Sequence, residues 1–233
     1  PDSNELADLV KAYRRNDFLS GLPEADLRAL AEGARLRHFE AGEHLFWEGE
    51  PSPGMLYLYS GRVKLFKLSS SGRELVLRLI GPGQTFNEIS ALDGGPNPVS
   101  AAAQEAGHAA CLSPLMLRRV LLQSTDNAQT LILHLAGRMR YLVNLVEELS
   151  FLQVNNRLAR LLCQMFREAA PGAPLCVTHK ELAARLGTVR EVVARGLKTL
   201  QAVGAIRIAR GKVYLLDASL LQVWCEISGQ KSH

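Results

Sequence analysis

The spacing of hydrophobic residues changes along the chain, and each change predicts a different kind of structure. Residues 5–34 carry apolar positions at helical spacing, whereas from about 35 to 112 short alternating apolar runs are separated by Gly, Pro or Asn. Short runs with turn signals at regular intervals predict an antiparallel sandwich or barrel. From Ser113 onward the spacing is helical again, with Ser113-Pro114 as a helix start. We therefore expect an α+β fold.

One stretch inside the alternating segment, LYLYSGRVKLFKL at residues 56–68, places a Ser-Gly pair between two apolar runs. Such a pair is typical of the turn of a β-hairpin. The stretch predicts two strands joined at Ser60-Gly61.

The longest helical pattern covers residues 126–152, and its apolar residues recur at alternating steps of three and four. This heptad spacing is typical of a helix that pairs with a second helix along a narrow seam. The apolar stripe of a helix packed on its own domain is similar. We expect a parallel homodimer. The predicted seam consists of Ile132, Leu135, Met139, Leu142, Val146 and Leu149.

Charge divides the chain at Asn155-Asn156, where the apolar pattern is interrupted. Residues 1–154 hold 15 Lys and Arg against 18 Asp and Glu, a net charge of −3. Residues 155–233 hold 12 against 5, a net charge of +7. We predict a first domain at 1–124, a dimerisation helix and hinge at 125–154, and a basic domain at 155–233. A basic domain of this kind favours contact with a polyanion.

Two capping-box patterns mark a pair of helices in the basic domain. Thr178 with Glu181, and Thr188 with Glu191, both fit the S/T-x-x-E spacing. Gly187-Thr188-Val189 lies between the two helices and predicts the turn of a helix-turn-helix.

The second of these helices separates charged from apolar residues when it is laid out at about 100° per residue. Arg190, Glu191 and Arg195 fall on one face, and Gly196 falls among the apolar residues, where it predicts close approach of the first helix. Arginine can bond both acceptors of guanine, and a carboxylate can accept from the cytosine amino group. The alternative is a solvated ion-pair face on which Glu191 serves as the helix cap.

The segment AIRIARGKVYLLD follows, with Ile206 and Ile208 alternating before a turn at Arg210-Gly211-Lys212. It predicts a two-stranded wing with a basic tip suited to phosphate contact. A winged helix-turn-helix in a basic domain indicates DNA binding.

Other classes of protein are not expected. Hydrophobic residues make up 47% of the chain, which indicates a packed core rather than disorder. The sequence contains no nucleophile–base pair, metal-ligand cluster or P-loop, so we do not expect an enzyme. No apolar run approaches the roughly 20 residues of a membrane span, and the start PDSNELADLV has no signal-peptide pattern. We expect a cytoplasmic protein without a membrane partner.

The cysteines at positions 111, 163, 176 and 225 have no C-x-x-C or zinc-type spacing. We interpret them as reduced thiols of a cytosolic protein, with a redox-sensing thiol as the alternative.

Together, the β-rich segment, the long pairing helix and the winged helix-turn-helix resemble the CRP/FNR superfamily of bacterial transcription regulators, from about residue 18 to 224. VTHKELAARLGTVREVVARGLKTLQAVGAI carries the most specific part of the resemblance. It implies an N-terminal β-roll that senses an effector, double-stranded DNA as a partner, and RNA polymerase as another. The Arg-Glu-x-x-x-Arg pattern of the catabolite-activator branch, which reads TGTGA-like half-sites of a palindrome, maps onto Arg190, Glu191 and Arg195. Phosphate contacts would map onto Thr178, Lys180, Lys198, Arg210 and Lys212.

The segment GPGQTFNEISALDGGPNPVSAAA resembles the family's phosphate-binding cassette for cyclic AMP. Glu88 matches the carboxylate that takes the ribose hydroxyl, but Pro98 and Val99 stand where cyclic-AMP binders carry Arg-Ser. Leu142 and Val143 stand where those proteins place Thr-Ser toward the adenine. Because a buried phosphate without a cation is costly, we do not expect cyclic AMP in this pocket. Glu88 would then cap backbone N–H groups of the loop.

What replaces the nucleotide stays open. Iron–sulfur regulators of this family use an N-terminal cysteine cluster, and no cysteine precedes Cys111, so we do not expect such a cluster. Haem remains an option, although we interpret His134, one position outside the seam, as a plain surface or packing residue. The expected function is a homodimeric, sequence-specific transcription regulator controlled by an effector other than cyclic AMP or by none. The alternative is a cyclic-nucleotide-type regulatory module without a DNA role.

Overall fold

The computed structural model describes residues 3–226, except the side chains of residue 3 and residues 148–151. The chain divides into two compact units, the first comprising residues up to 67 with 77–139, and the second comprising 68–76 with the chain from 140 onward. None of the helices in the described part combines the length and apolar character required to cross a membrane.

Short helices flank an antiparallel sheet in the first part of the chain. The elements are α1 (Ser3–Tyr13), a 3-10 turn (Leu19–Gly21), α2 (Glu24–Glu32), β1 (Arg35–Phe39), β2 (His44–Phe46), β3 (Met55–Leu68), β4 (Glu74–Ile80), β5 (Thr85–Phe86), α3 (Glu88–Asp93), β6 (Ser100–Leu112) and α4 (Pro114–Leu122). The strand order is β1-β6-β3-β4, with β2 added to β6 and β5 added to β3. The predicted antiparallel sheet and α+β class are confirmed.

Two apolar clusters stabilise the first unit from opposite sides of the sheet strands. Phe39, Leu58 and Phe86 belong to a cluster inside the sheet, where each is fully buried. Leu9 of α1 and Leu27 of α2 belong to a second cluster that joins the helices to the sheet. The helical spacing of residues 5–34 therefore has the expected physical cause, since one apolar stripe of each helix is removed from water.

The predicted hairpin at Ser60-Gly61 is wrong. β3 runs through these residues as one strand and pairs with β6 on both sides of them, with register shifts between Leu58 and Val63. Gly61 has φ 84°, and a Cβ on the facing Gly107 would lie 2.1 Å from the Ser60 carbonyl oxygen. The two glycines thus permit a β-bulge that bends the paired strands, instead of a turn that reverses the chain.

The long helix predicted at residues 126–152 is confirmed as α5 (Thr125–Phe151), which crosses the division between the units. Most of its predicted seam is exposed in the single chain, including Ile132 at 64%, Met139 at 67% and Val146 at 62%. Leu142 is exposed and Leu135 is half-buried, while the side chain of Leu149 lies outside the described residues.

The second unit contains a helical domain with a small sheet. Its elements after α5 are α6 (Val154–Glu168), α7 (His179–Leu186), α8 (Arg190–Ala202), β7 (Ile206–Ala209), β8 (Lys212–Leu215) and α9 (Ala218–Glu226). Leu158, Leu182 and Leu197 bring α6, α7 and α8 into one buried cluster. Leu175 adds a single antiparallel bridge to Val213 of β8. The predicted winged helix-turn-helix is confirmed.

Candidate nucleic-acid interface and effector pocket

The first helix of the helix-turn-helix begins with the capping box that the sequence predicts. The Thr178 amide donates to Glu181 Oε2 at 2.7 Å, and the Glu181 amide donates to Thr178 Oγ1 at 3.2 Å. The Thr178 hydroxyl also donates to Glu181 Oε2 at 2.8 Å. The helix ends at Gly187, which adopts the left-handed conformation at φ 63°. Thr178 is exposed. A phosphate that accepted a hydrogen bond from its hydroxyl would compete with the Glu181 carboxylate.

The second predicted capping box, Thr188 with Glu191, is wrong. The Thr188 amide donates to the Ala183 carbonyl at 3.0 Å, so Thr188 belongs to the end of α7. Helix α8 begins at Arg190, and its N-cap Val189 makes no side-chain cap. Glu191 is exposed, and its side chain forms no hydrogen bond or ion pair with any residue that the structure describes. Its carboxylate is therefore available to an outside donor.

The two faces of α8 separate as the helical layout predicts. Val193, Leu197 and Leu200 are buried. The opposite face exposes Arg190, Glu191, Arg195 and Lys198. Because no described residue pairs with these charges, the face combines both signs of charge in full contact with solvent. Among the described residues, this is the arrangement that the base-reading interpretation requires.

Gly196 permits a close approach, but to a different helix from the predicted one. A Cβ at Gly196 would lie 2.8 Å from both Asn155 Oδ1 and Leu158 Cδ2. Both residues belong to α6 rather than to α7. The missing side chain thus allows α8 to pack closely against α6. This contact determines which face of α8 is exposed.

The wing has a tighter tip than expected. Arg210 and Gly211 have φ 51° and 72° and form a two-residue turn, while Lys212 already pairs with Ala209 as part of β8. Positive φ at both turn residues is typical of a type I′ hairpin. Arg210 and Lys212 are both exposed, and so is Lys180 on α7. The tip is basic, as predicted.

The wing carries a further basic residue, Arg207, that was not predicted from the sequence. The Arg207 guanidinium carbon lies 4.7 Å from the ring centroid of Tyr214 on the adjacent strand, and Arg207 is exposed. Its position between Ile206 and Ile208 was the available signal, because alternate strand residues point to opposite faces.

Glu88, at the start of α3, is buried in the first unit and lies against side chains of α5. Arg138 Nη2 donates to Glu88 Oε1 at 3.0 Å, and Thr85 Oγ1 donates to the same oxygen at 3.3 Å. His134 Nε2 lies 3.5 Å away, at the outer limit of a hydrogen bond. Burial by itself raises the pKa of Glu88, but His134 and the charges of Arg138 and Arg78 outweigh it and lower that pKa to about 2.

These contacts correct the expected role of Glu88. It is a structural carboxylate, but its principal partners are side chains of α5 and β5 rather than N–H groups of the loop. Sequence analysis missed Arg138, although its position four residues after His134 places both on one helix face. His134 stacks on Phe18 with ring centroids 4.3 Å apart, so the predicted packing role is correct.

Two asparagines hold the loop after α3 on its buried side. Asn97 Nδ2 donates to the Trp47 carbonyl at 3.2 Å, and Asn97 Oδ1 accepts from Asn87 Nδ2 at 3.1 Å. Pro98 and Val99 are half-buried and carry no charge. A phosphate at this loop would therefore meet no cation from either position.

The remaining pocket residues stay predictions. Leu142 and Val143 have exposed side chains on the part of α5 that belongs to the second unit. Among the described residues, no group of three or more His, Cys, Asp or Glu side chains is arranged to hold a metal ion.

Two domain families match the chain, the cyclic nucleotide-binding domain over residues 36–124 and the Crp-like helix-turn-helix domain over residues 156–224. The chain is 34% identical over 190 residues to the Cyclic AMP receptor protein of Thermus thermophilus, an alignment that covers 80% of this chain and 86% of that one. The chain belongs to the CRP/FNR superfamily.

A second relative is the CRP-like cAMP-activated global transcriptional regulator of Mycobacterium tuberculosis, 30% identical over 213 residues, 89% of this chain and 95% of that one. The crystal structure of a CRP/FNR-family transcriptional regulator from Thermus thermophilus matches with TM-score 0.65 and 30% identity, covering 84% of this chain and 100% of that one. The protein is thus a DNA-binding transcription regulator and not an enzyme. The alternative of a regulatory module without a DNA role is wrong.

Proposed function

We propose that this regulator acts in the cytoplasm as a homodimer that reads a palindrome of TGTGA-like half-sites. We further propose that an effector other than cyclic AMP, or none, controls it. The observation that carries the proposal is the exposed face of α8, where Arg190, Glu191 and Arg195 lack partners among the described residues.

Base reading by this face follows from the chemistry of its three side chains. Arg190 and Arg195 can each donate two hydrogen bonds to a guanine edge, and Glu191 can accept from a cytosine amino group. A surface that only held phosphates would be weakened by Glu191, because the carboxylate repels the DNA backbone. The absence of a Thr188 cap leaves this carboxylate free to meet a base.

Phosphate contacts would surround the reading helix and fix its register. The proposed contacts are Thr178, Lys180, Lys198, Arg210 and Lys212. All five are exposed, and they lie on α7 with its cap, on α8 and on the wing. Backbone contacts from separate elements set orientation without reading sequence.

A second copy of the chain is the proposed partner of α5. Exposed apolar residues at heptad spacing, such as Ile132, Met139 and Val146, are costly to leave in water. Pairing two copies along this seam buries them and supplies two reading helices for the two halves of a palindrome. RNA polymerase is the further partner that family membership suggests.

The proposed independence from cyclic AMP rests on the first unit. The Glu88 carboxylate already accepts a hydrogen bond from the Arg138 guanidinium. Pro98 and Val99 offer no positive charge to a cyclic phosphate. A nucleotide that bound here would compete with Arg138 for Glu88, and neither Pro98 nor Val99 would balance the charge of its buried phosphate.

Cyclic-AMP activation is the second candidate, because two similar regulators are named for that nucleotide and the cyclic nucleotide-binding domain matches residues 36–124. Titration calorimetry of the full chain with cyclic AMP separates the two. We expect no heat of binding and no change in DNA affinity. Micromolar binding would establish the second candidate, and an absorption spectrum with added haem tests the remaining ligand class.

Sequence reading is tested by fluorescence anisotropy on two duplexes of equal length. One carries two inverted TGTGA-like half-sites with centres one helical turn apart, and in the other the spacing is longer by about half a turn. We expect at least a tenfold weaker affinity for the second duplex. Equal affinities would contradict the proposed palindrome, and a monomeric mass in sedimentation would contradict the homodimer.

A further inference from the structure

Two cysteines of the DNA-binding domain lie almost in contact. Cys163 is on α6 and Cys225 is on α9, and the Sγ atom of Cys225 donates a hydrogen bond to the Sγ atom of Cys163 at 3.1 Å. Both are free thiols. A disulfide joins sulfurs at about 2.05 Å, so an approach of about 1 Å would bring the two atoms to bonding distance.

The surroundings hold the two thiols together. The Asn156 side-chain amide donates to the Trp224 carbonyl at 2.9 Å, and Arg160 Nε donates to the Cys225 carbonyl at 2.8 Å. These bonds fix α9 on α6 one and two turns before Cys163. The juxtaposition is therefore part of the packing between the first and last helices of the domain.

The two sulfurs differ in access to solvent. Cys225 is buried at 8% exposure, whereas Cys163 is half-buried. Burial and the hydrogen bond to Cys163 raise the pKa of the Cys225 thiol to about 12, although the charges of Arg160 and Arg167 oppose that rise. Cys225 therefore keeps its proton at neutral pH, and Cys163 is the sulfur that a small oxidant reaches.

We propose that Cys163 and Cys225 form a peroxide-reactive dithiol that closes to a reversible disulfide within the DNA-binding domain. The Cys163 thiolate attacks one peroxide oxygen and displaces hydroxide, which leaves a sulfenic acid on Cys163. The Cys225 sulfur then attacks the Cys163 sulfur and forms the S–S bond, while the Cys225 proton leaves with the sulfenic hydroxyl as water. Two electrons pass to the peroxide, which becomes two molecules of water, and a dithiol reductant reverses the change.

The disulfide would close a loop that contains α7, α8 and both wing strands. Linking the ends of this segment restricts its opening, while the reading face of α8 is formed by other residues. We therefore expect the oxidised domain to resist local unfolding. Hydrogen exchange should show slower exchange in α9 after oxidation.

The test uses the reduced full chain, hydrogen peroxide at stoichiometric amounts, alkylation of remaining thiols, and peptide mass spectrometry. We expect a 163–225 linked peptide, lighter by about 2 Da than its reduced halves, and recovery of both thiols with dithiothreitol. The proposal is overturned if both thiols stay alkylatable after the exposed Cys176 has been oxidised. It is also overturned if cross-links between chains through Cys176 are the sole product.

Three variants assign the roles of the sulfurs. Cys225→Ser should stop at a sulfenic acid on Cys163, which dimedone traps, whereas Cys163→Ser should leave Cys225 unreactive. Cys176→Ser is the matched control, because it removes an exposed thiol of the same domain and should give the wild-type yield of disulfide. Dimedone trapping on Cys225 in place of Cys163 would reverse the assigned order of attack.

Discussion

The surroundings of Glu88 and the exposed face of α8 use carboxylates and guanidinium groups in opposite ways. In the first unit, the Glu88 side chain is 11% exposed, and Arg138 donates to its carboxylate at 3.0 Å. On α8, Arg190, Glu191 and Arg195 are exposed and have no described partner. A paired, buried charge stabilises one conformation of its own domain, whereas an unpaired, exposed charge is available to another molecule.

This difference shows where each domain depends on electrostatics. Removing one member of a buried pair leaves the other charge without solvent or partner, which is costly to folding. Removing an exposed charge costs the fold little and changes only what the surface binds. We expect four consequences of this contrast, which differ in the size of their effect.

Arg138→Met should destabilise the first unit by about 3 kcal/mol, because Glu88 loses its principal cation while remaining buried. Trp47 in the first unit and Trp224 in the second are the only tryptophans, so urea unfolding in a Trp224→Phe background reports the first unit. Arg140→Met is the control, since this exposed residue is on the same helix, and we expect a change within about 0.5 kcal/mol. Equal losses of unfolding free energy in the two variants would show that the buried ion pair stabilises the fold no more than an exposed charge does.

Arg195→Ala should lower discrimination at one base pair by about 1–3 kcal/mol without loss of stability. The measurement is competition binding against duplexes that carry each base at every position of one half-site. Lys198→Ala is the comparison, because loss of a phosphate contact weakens all sequences alike. A uniform loss for Arg195→Ala would place that residue on phosphate and leave base reading to Arg190 and Glu191.

Acid should selectively weaken the pocket. The pKa of Glu88 in the folded chain is about 2, below its ordinary value of 4.5, so its contribution to stability is complete above pH 4.5 and is lost as the pH falls toward 2. The slope in this window is about 1 kcal/mol per pH unit. Glu88→Gln should remove this component, so the difference in stability between wild type and variant shrinks with acid. A constant difference from pH 6 to pH 3 would show that the ion pair does not determine this pKa.

Lys212→Ala should have the smallest effect. Because the proposed homodimer carries two copies of Lys212, the variant loses two phosphate contacts, and the slope of log affinity against log salt falls by about 2 with little change in sequence preference. Lys11→Ala in the first unit is the control and should leave the slope unchanged. If the two variants behave alike, the wing tip is not in contact with DNA.

Local sequence patterns were sufficient to predict much of the helix-turn-helix domain. The turn at Gly187, the capping box at Thr178 and the charged face of α8 depend on residues a few positions apart, so their spacing contains the required information. The second capping box failed because Thr188 had two options within the same short segment, and its amide bonds Ala183 at the end of α7. Neighbouring motifs that compete for one residue are decided by the geometry of both helices.

Periodicity along the sequence does not predict contacts between residues that are far apart in the chain. Ser60-Gly61 has the composition of a turn, and only pairing with β6 beyond it shows that the strand continues. Gly196 indicated close packing but not that Asn155 and Leu158 were the neighbours. The sequence pattern also did not predict the contact between Cys163 and Cys225, because the two residues lie on separate helices.

By itself, the sequence determined the succession of elements, the class of fold, the membership of a family and the separation of charged from apolar residues on α8. These depend on hydrophobic periodicity and on short motifs, which act over one or two turns of chain. Tertiary structure alone decided that Arg138, fifty positions from Glu88, donates a hydrogen bond to the Glu88 carboxylate. It also decided that the Glu191 side chain does not cap the start of α8. A buried charge takes whichever partner the packing brings within about 3 Å, and no spacing along the chain specifies that partner.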